Sequence, residues 1–403
     1  MVNITELILQ YKYIIIFYLV VAILVFTHRK KIDFQAKIIM LYRTSWGLKF
    51  IKTCATKFRE WVILFGYLST GLGIIGLFMI SFILIQNIYK LLFVAGAANG
   101  VALVLPGINI PGLGVLPFWH WLIAIFVIAT VHEFSHGVVA KAHNIKVKST
   151  GLVLIGPIIG AFVEPDEKTM DKKSDIIQYS VLAAGPISNV VLALIAILVL
   201  NLCVMPIQNS MLEEQGFVFE DYIEGGYPAE LSGLPLNTPI TAINNQETIN
   251  FAEFADVLQC TSPGDTIIVT TTTDEGTSTD YNLTLADNPE NPGKSFMGIS
   301  IISNEVDVKP ELSTGSSLVL YNTLDWVRNF LKWLFLLSFG IGLFNLLPLP
   351  IVDGGKMTQI FLHKWRGKVK GEETYHRISM VFLLILLFSL LFPLFKTMLG
   401  WVF

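Results

Sequence analysis

The stretch WLIAIFVIATVHEFSHG, residues 121–137, decides the fold. Its first eleven residues carry no charge, which is typical of a helix embedded in lipid. Two histidines and a glutamate follow in the same helical pattern, at His132, Glu133 and His136. Ionisable side chains in a membrane-spanning helix are energetically costly and usually mark a functional site. The stretch therefore predicts a membrane helix that carries chemistry.

The composition of the chain is that of an integral membrane protein. Of its 403 residues, 53% are hydrophobic and only 15% are charged, whereas ordinary soluble proteins have roughly 25% charged residues. The formal net charge is −3, and no block of basic residues is large enough to predict a nucleic-acid partner. The three cysteines form no CxxC pair, so we expect neither a disulfide framework nor a thiolate zinc site.

Apolar runs long enough to cross a bilayer predict a polytopic α-helical membrane protein with about six transmembrane helices. We place them near residues 11–27, 62–86, 119–141, 178–204, 328–347 and 377–402. The segment 86–117 is apolar but rich in glycine and proline, which favours a re-entrant or interfacial loop. Between residues 207 and 306, threonine runs, alternating stretches and turn signals predict a soluble, mostly β module of normal domain size.

The distribution of basic residues predicts the orientation. Lysines and arginines are concentrated in residues 29–59, between the first two spans, and in HKWRGKVKG, residues 363–371. The region between the fourth and fifth spans is acidic and almost free of lysine. By the positive-inside rule, the N-terminus and the soluble module lie outside the cytoplasm, and HEFSH lies towards the cytoplasmic side of the membrane.

The segment HEFSH has the spacing of a metal site. Residues four apart lie on one face of a helix, so His132 and His136 can direct two imidazoles at a single ion. Glu133 lies next to the first histidine, where it can take a proton from a metal-bound water. HExxH is the signature of zinc-dependent peptide hydrolysis. A pair of structural histidines inside a helix bundle is the alternative.

A catalytic zinc usually takes a third protein ligand, which must come from another part of the sequence. The segment NLLPLPIVDGGK, residues 345–356, follows the fifth span and contains Asp353, the only acidic residue between Asp325 and Glu372. Its two prolines break the helix, and its two glycines let the backbone turn tightly. Asp353 is therefore a candidate ligand at the same depth as HEFSH. An interfacial loop with a solvated aspartate is the alternative.

These segments resemble the site-2 protease family of intramembrane zinc metalloproteases. HEFSH matches the family's HExxH, and NLLPLPIVDGG matches its NxxPxPxLDG element, with Val352 in place of leucine. A third family-like element, AAGPISN at residues 183–189, lies between them in the family's order.

The resemblance implies a set of functional residues. One catalytic zinc would be bound by His132, His136 and Asp353, with Glu133 as general base. Two asparagines match positions that hold the substrate backbone or the developing oxyanion, and helix packing is the alternative for both: Asn189 and Asn345.

The resemblance also implies a β-hairpin at the membrane near the zinc, and residues 150–167, TGLVLIGPIIGAFVEPDE, have that pattern. A free strand edge there could pair with an unwound substrate, and a purely structural hairpin is the alternative. Within the soluble module, GYPAELSGL followed by ITAINNQ resembles the pattern of protease-associated PDZ domains. Such a groove could bind a peptide or the C-terminus of a partner protein, or it could exclude bulky substrates.

The predicted organisation has four segments. They are the N-terminal helices with the loop (1–117), the first part of the catalytic membrane core (118–206), an extracytoplasmic PDZ-like domain (207–306) and the second part of the core with the C-terminal helix (307–403). The predicted function is zinc-dependent cleavage, within the lipid bilayer, of the transmembrane segments of single-span membrane proteins. The alternatives are an inactive membrane scaffold with a structural zinc and a peptide-binding PDZ domain, or a metal transporter.

Overall fold

The structure is a computed structural model that describes residues 4–35, 39–94, 104–110, 113–273 and 276–399. The long helices are α1 (Ile4–His28), α3 (Arg59–Phe93), α4 (Phe118–Ala142), α6 (Asp175–Val199), α10 (Gly315–Phe344) and α12 (Lys368–Leu399). The shorter helices are α2 (Trp46–Lys57), α5 (Glu167–Met170), α7 (Met205–Ser210), α8 (Pro228–Leu231), α9 (Phe251–Gln259) and α11 (Asp353–Arg366). In the described part of the protein, six helices are long and apolar enough to cross a membrane.

The strands fall into two groups along the sequence. The first group is β1 (Ile32–Gln35), β2 (Ile39–Thr44), β3 (Asn109–Ile110), β4 (Gly114–Val115), β5 (Val147–Ile155) and β6 (Ile158–Pro165). The second group is β7 (Leu212–Tyr222), β8 (Ile240–Ile243), β9 (Gln246–Glu247), β10 (Thr266–Thr272), β11 (Ser278–Thr284), β12 (Ala286–Asp287), β13 (Ser295–Phe296) and β14 (Ile299–Val308). The chain divides into two compact units, a membrane unit (Met1–Leu200 and Asn329–Phe403) and an inserted unit (Asn201–Arg328).

The prediction of a polytopic helical membrane protein with a mostly β insertion is confirmed. Several helices are longer than the apolar runs that predicted them: α3 continues to Phe93, and α10 begins at Gly315 rather than near residue 328. An apolar run predicts only the part of a helix that contacts lipid. The helix itself can continue beyond that run into a polar region. Of the predicted loop at 86–117, residues 95–103 and 111–112 lie outside the described residues.

Small residues let the helices of the membrane unit approach closely. A Cβ added at Gly73 of α3 would lie 2.9 Å from the Cβ of Ala183 on α6. A Cβ added at Gly342 of α10 would lie 2.9 Å from the carbonyl oxygen of Pro186 on α6. Close backbone approach at small residues is the usual way in which membrane helices associate. It places α6 at the centre of the unit, against α3, α4 and α10.

A four-stranded antiparallel sheet lies beside α4 in the membrane unit. The hairpin predicted at residues 150–167 is formed by β5 and β6, and β2 and β1 extend it in the order β1-β2-β5-β6. Strand β6 therefore ends the sheet, and it packs along α4.

The inserted unit is built around an antiparallel sheet with the order β11-β10-β8-β7-β14, with β9 paired to β8. Its core contains fully buried aromatic and aliphatic side chains, among them Phe217, Phe219 and Phe254. Helix α9 is capped by the side chain of Asn250, which accepts a hydrogen bond from the backbone amide of Glu253. Alternating burial along β10, from Thr266 to Thr272, matches the pattern seen in the sequence.

Candidate metal centre

Three predicted ligands lie together inside the membrane unit. His132 and His136 are one turn apart on α4, and Asp353 is the first residue of α11. Asp353 Oδ2 lies 3.1 Å from Nε2 of His132 and 3.4 Å from Nε2 of His136, and the two Nε2 atoms are 3.1 Å apart. All three side chains are largely buried. These atoms form a group that could hold a metal ion.

The segment before α11 explains how Asp353 reaches this position. Helix α10 ends at Phe344, and the backbone then makes tight turns through two prolines before α11 begins. The backbone amide of Gly354 donates a hydrogen bond to the carbonyl of Asn345 at 2.8 Å. A Cβ on Gly354 would collide with the carbonyl of Leu346, and one on Gly355 with that of Leu349. The two glycines therefore let the first turn of α11 lie against the turns that follow α10.

Hydrogen bonding fixes the tautomer of His136. Its Nδ1 lies 2.7 Å from the carbonyl oxygen of Val181 on α6. A carbonyl can only accept, so Nδ1 carries the proton and donates it. The lone pair of neutral His136 is then on Nε2, which faces the other two ligands. A backbone carbonyl in this role is a common outer partner of metal-binding histidines.

Asn189 can favour the same tautomer in His132, with the proton on Nδ1 and the lone pair on Nε2. This asparagine is fully buried on α6, with its amide nitrogen placed 3.1 Å from Nδ1 of His132. Its Oδ1 has no hydrogen-bond partner in the described structure. Amide oxygen and nitrogen are assigned from the hydrogen-bond network. With the two atoms exchanged, Oδ1 accepts the Nδ1 proton of His132, and the lone pair of His132 is on Nε2, which is the tautomer that binds a metal through Nε2.

This arrangement leaves three acceptor atoms facing one another, a donor set that fits a cation. Donor atoms of a tetrahedral zinc site with bonds of about 2.0–2.2 Å lie about 3.3–3.6 Å apart, close to the separations of 3.1–3.4 Å found among His132, His136 and Asp353. Gly185 keeps open the space beside the two histidines. A Cβ added at this position would lie 2.7 Å from Nε2 of His132 and closer to Nε2 of His136. The sequence patterns did not identify Gly185 as a residue of the site.

Glu133 is held beside the ligands by strand β6. Its Oε2 accepts a hydrogen bond of 3.1 Å from the backbone amide of Val163. This contact orients one carboxylate oxygen and leaves the other with no hydrogen-bond partner in the described structure. It also joins the HExxH helix to the last strand of the sheet, which the sequence did not predict, since Val163 is distant in sequence and apolar.

A cavity of about 510 Å³ opens over these groups. Its lining includes His132, Glu133, His136, Asn345 and Asp353, with charged residues from the sheet and from α11. Asn345 therefore lies at the cavity, where its amide donates a hydrogen bond to the carbonyl of Ile341 at 3.0 Å. Asn189, in contrast, does not line the cavity and lies behind His132.

Charged residues join β2, β5 and β6 at the edge of the cavity. Arg43 pairs with the carboxylate of Glu164 and donates a hydrogen bond of 2.9 Å to Oγ of Ser149. Ser149 in turn donates to Glu164 at 2.7 Å. The hydrogen bond from Ser149, followed by that from Arg43 and its positive charge, lowers the pKa of Glu164 from its ordinary value, although partial burial opposes the shift. These contacts hold the sheet together at the site.

The sequence of the chain matches a known family of peptidases. The model of peptidase family M50 matches residues 120–389, about two thirds of the chain. The chain belongs to peptidase family M50, and the predicted site-2 protease family is confirmed. The matched range contains both HEFSH and the segment that carries Asp353.

Two curated relatives are similar to the chain. An uncharacterized protein of Methanocaldococcus jannaschii is 29% identical over 352 residues, which cover 85% of this chain and 83% of the relative. The zinc metalloprotease RasP of Oceanobacillus iheyensis is 25% identical over 250 residues, which cover 51% of this chain and 56% of RasP. The chain thus spans little more than half the length of RasP.

Two solved structures are similar to part of the chain. The crystal structure of the PDZ domain of an SdrC-like protein from Listeria monocytogenes is 20% identical and covers 21% of this chain and 86% of its own, with a TM-score of 0.19. The solution structure of GtR34C from Geobacillus thermodenitrificans is 25% identical and covers 22% of this chain and 98% of its own, also with a TM-score of 0.19. Because both TM-scores are low, we describe the inserted unit from its own strands and helices alone.

Proposed function

We propose that the protein is a zinc-dependent endopeptidase that cleaves the transmembrane segments of single-span membrane proteins within the lipid bilayer. The observation that carries the proposal is the convergence of three acceptor atoms, from His132, His136 and Asp353, with the carboxylate of Glu133 beside them. The zinc metalloprotease RasP, similar over half of this chain, supports zinc as the metal.

In this proposal His132, His136 and Asp353 hold one zinc ion. A zinc ion there would lower the pKa of a water and polarise the carbonyl of the peptide bond. Glu133, fixed by the amide of Val163, accepts the proton of the attacking water with its other oxygen and later gives a proton to the leaving amine. Asn345, at the cavity wall, donates one amide hydrogen to the carbonyl of Ile341 and can donate its second to the substrate carbonyl.

Two roles are open to Asn189 in this proposal, contact with the substrate and orientation of His132. The family resemblance implies that Asn189 holds the substrate backbone or the developing oxyanion, with helix packing as the alternative. Its burial and its contact with Nδ1 of His132 instead favour orientation of a metal ligand. A partner behind a metal-binding histidine fixes both its tautomer and its ring plane. We therefore propose that Asn189 acts through His132 and that Asn345 is the asparagine that contacts substrate.

A transmembrane substrate must unwind before its peptide bonds can react, because helical carbonyls are already hydrogen-bonded. Strand β6 ends the sheet, packs along α4 and contributes Val163 to the contact with Glu133. An extended substrate segment laid along β6 would gain backbone hydrogen bonds in the manner of strand addition. We propose that this is how the scissile bond is brought to Glu133.

The orientation and the role of the inserted unit complete the proposal. The distribution of lysine and arginine supports an N-terminus and an inserted PDZ-like domain outside the cytoplasm, with the active site towards the cytoplasmic side. Antiparallel strands around a buried aromatic core, with the short helices α8 and α9, support a peptide-binding or substrate-excluding module.

The test is cleavage of a single-span model substrate by the purified protein in detergent, with zinc measured on the same samples. Glu133→Gln is expected to retain zinc and to cleave at least about 100-fold more slowly, because general-base catalysis contributes about that much or more. Glu167→Gln is the matched control, since Glu167 lines the same cavity and is exposed. Equal cleavage by wild type and Glu133→Gln would overturn the assignment of the base.

A further inference from the structure

Helix α2 packs against the HExxH helix through one of its faces. Gly47, Ile51 and Ala55 recur every fourth residue and are buried. A Cβ on Gly47 would lie 2.5 Å from the ring of Phe134, and a Cβ on Gly137 would lie 2.9 Å from Cδ1 of Ile51. These contacts fix the rotation of α2 about its axis. They therefore determine which residues of α2 point away from α4.

The outer face of α2 combines aromatic and basic side chains. Trp46 is 90% exposed and Phe50 is 58% exposed. Lys49 and Lys52 are exposed as well, and neither belongs to an ion pair of the described residues. At about 100° per residue, Trp46 and Phe50 lie on one side of this face, with Lys57 between them at the C-terminal end, and Lys49 and Lys52 lie on the other side. A helix with that division is suited to lie in a membrane interface.

The position of α2 agrees with such a role. The helix ends at Lys57, and the membrane-spanning helix α3 begins at Arg59. Trp61, in the first turn of α3, is 73% exposed, and the linking residue Phe58 is 49% exposed. Exposed tryptophan at the end of a membrane span is typical of the interface. With one connecting residue, α2 must remain at the surface where α3 enters the bilayer.

We propose that α2 binds anionic phospholipid headgroups at the membrane face where α3 begins. Lys49 and Lys52 would contact the phosphates, while Trp46 and Phe50 would enter among the upper acyl chains. Charge complementarity supports an anionic lipid, because α2 carries three lysines and no acidic residue. The aromatic side supports a lipid rather than a free phosphate, since a free phosphate offers it no apolar contact. Lipid bound there would lie on a helix that braces α4 beside the metal ligands.

The test uses the purified full-length protein in a neutral detergent and follows the midpoint of thermal unfolding. Dioctanoyl-phosphatidylglycerol is titrated against dioctanoyl-phosphatidylcholine and glycerol phosphate. Only the first is expected to raise the midpoint, since a ligand of the folded state stabilises it. Lys49→Gln combined with Lys52→Gln should require about 25-fold more phosphatidylglycerol, because each lysine near an anionic surface contributes about fivefold. Arginine at both positions should restore the response.

A matched control removes two charges elsewhere. Lys168→Gln combined with Lys172→Gln alters two exposed lysines outside α2 and should respond as wild type does. A wild-type response in the variant of α2, or an equal response to phosphatidylcholine, would overturn the proposal. An equal response to glycerol phosphate would show a phosphate site instead of a lipid surface. No peptide substrate enters this assay, so its outcome is independent of the proposed proteolysis.

Discussion

Replacement of Gly185 by alanine is expected to weaken metal binding strongly while leaving the fold intact. The added Cβ would lie 2.7 Å from Nε2 of His132 and closer still to Nε2 of His136. Nonbonded carbon contacts are most favourable at about 3.5–4.0 Å, so at least one imidazole must retreat by about 1 Å. Metal sites tolerate donor displacements of about 0.2 Å. Because changes in supporting contacts alone cost about 10–100-fold in affinity, we expect zinc affinity to fall at least about 100-fold.

The assay for Gly185→Ala is the zinc content per protein molecule at buffered free zinc, together with the midpoint of thermal unfolding. Alanine is a better helix former than glycine, so helix propensity gives no reason for α6 to unfold. Gly71→Ala on α3 is the matched control, because nothing lies within 4 Å of a Cβ at that position. The control should bind zinc as wild type does. If Gly185→Ala also retains wild-type zinc affinity, the packing of α6 against the two histidines is wrong.

Two further predictions concern side chains around the site. Asn189→Ala should weaken zinc binding about 10–100-fold, because Nδ1 of His132 loses its acceptor. Asn189→Asp keeps an acceptor and should bind zinc more tightly than Asn189→Ala in a chelator competition. Equal zinc affinities of the two variants would refute the assignment. The lowered pKa of Glu164 means that its contacts with Ser149 and Arg43 stabilise the fold above the ordinary value of about 4.5 and lose that effect as the pH falls below it. The unfolding midpoint should therefore fall more steeply with acidification in wild type than in Glu164→Gln, and parallel curves would contradict this.

The ligands of the metal centre could be predicted from the sequence because their signals are local. His132 and His136 are four residues apart in an apolar helix, and Asp353 follows a run broken by prolines. Gly185 and Val163 could not be assigned in this way, since their roles depend on what lies opposite them. Gly185 precedes a proline within α6, which marks an unusual helix without identifying its neighbours. Such contacts depend on how distant segments pack.

The sheet beside the site was predicted only in part. Strands β5 and β6 are close in sequence, so their turn residues indicate a hairpin. Strands β1 and β2 lie in a stretch whose basic residues indicated only its side of the membrane, and β2 pairs with β5 across more than a hundred residues. Because β1 has only four residues and β2 only six, their strand pattern is weak without that pairing.

The most direct test of the central claim is the zinc content per molecule of purified wild type, Glu133→Gln and Asp353→Asn. The proposed site predicts one zinc in wild type and in Glu133→Gln, because Glu133 is placed as a base and not as a ligand. Asp353→Asn should lose the metal, since the neutral amide replaces the only anionic donor. Wild type without zinc, or Asp353→Asn with as much zinc as wild type, would contradict the claim that these three side chains form the catalytic metal centre.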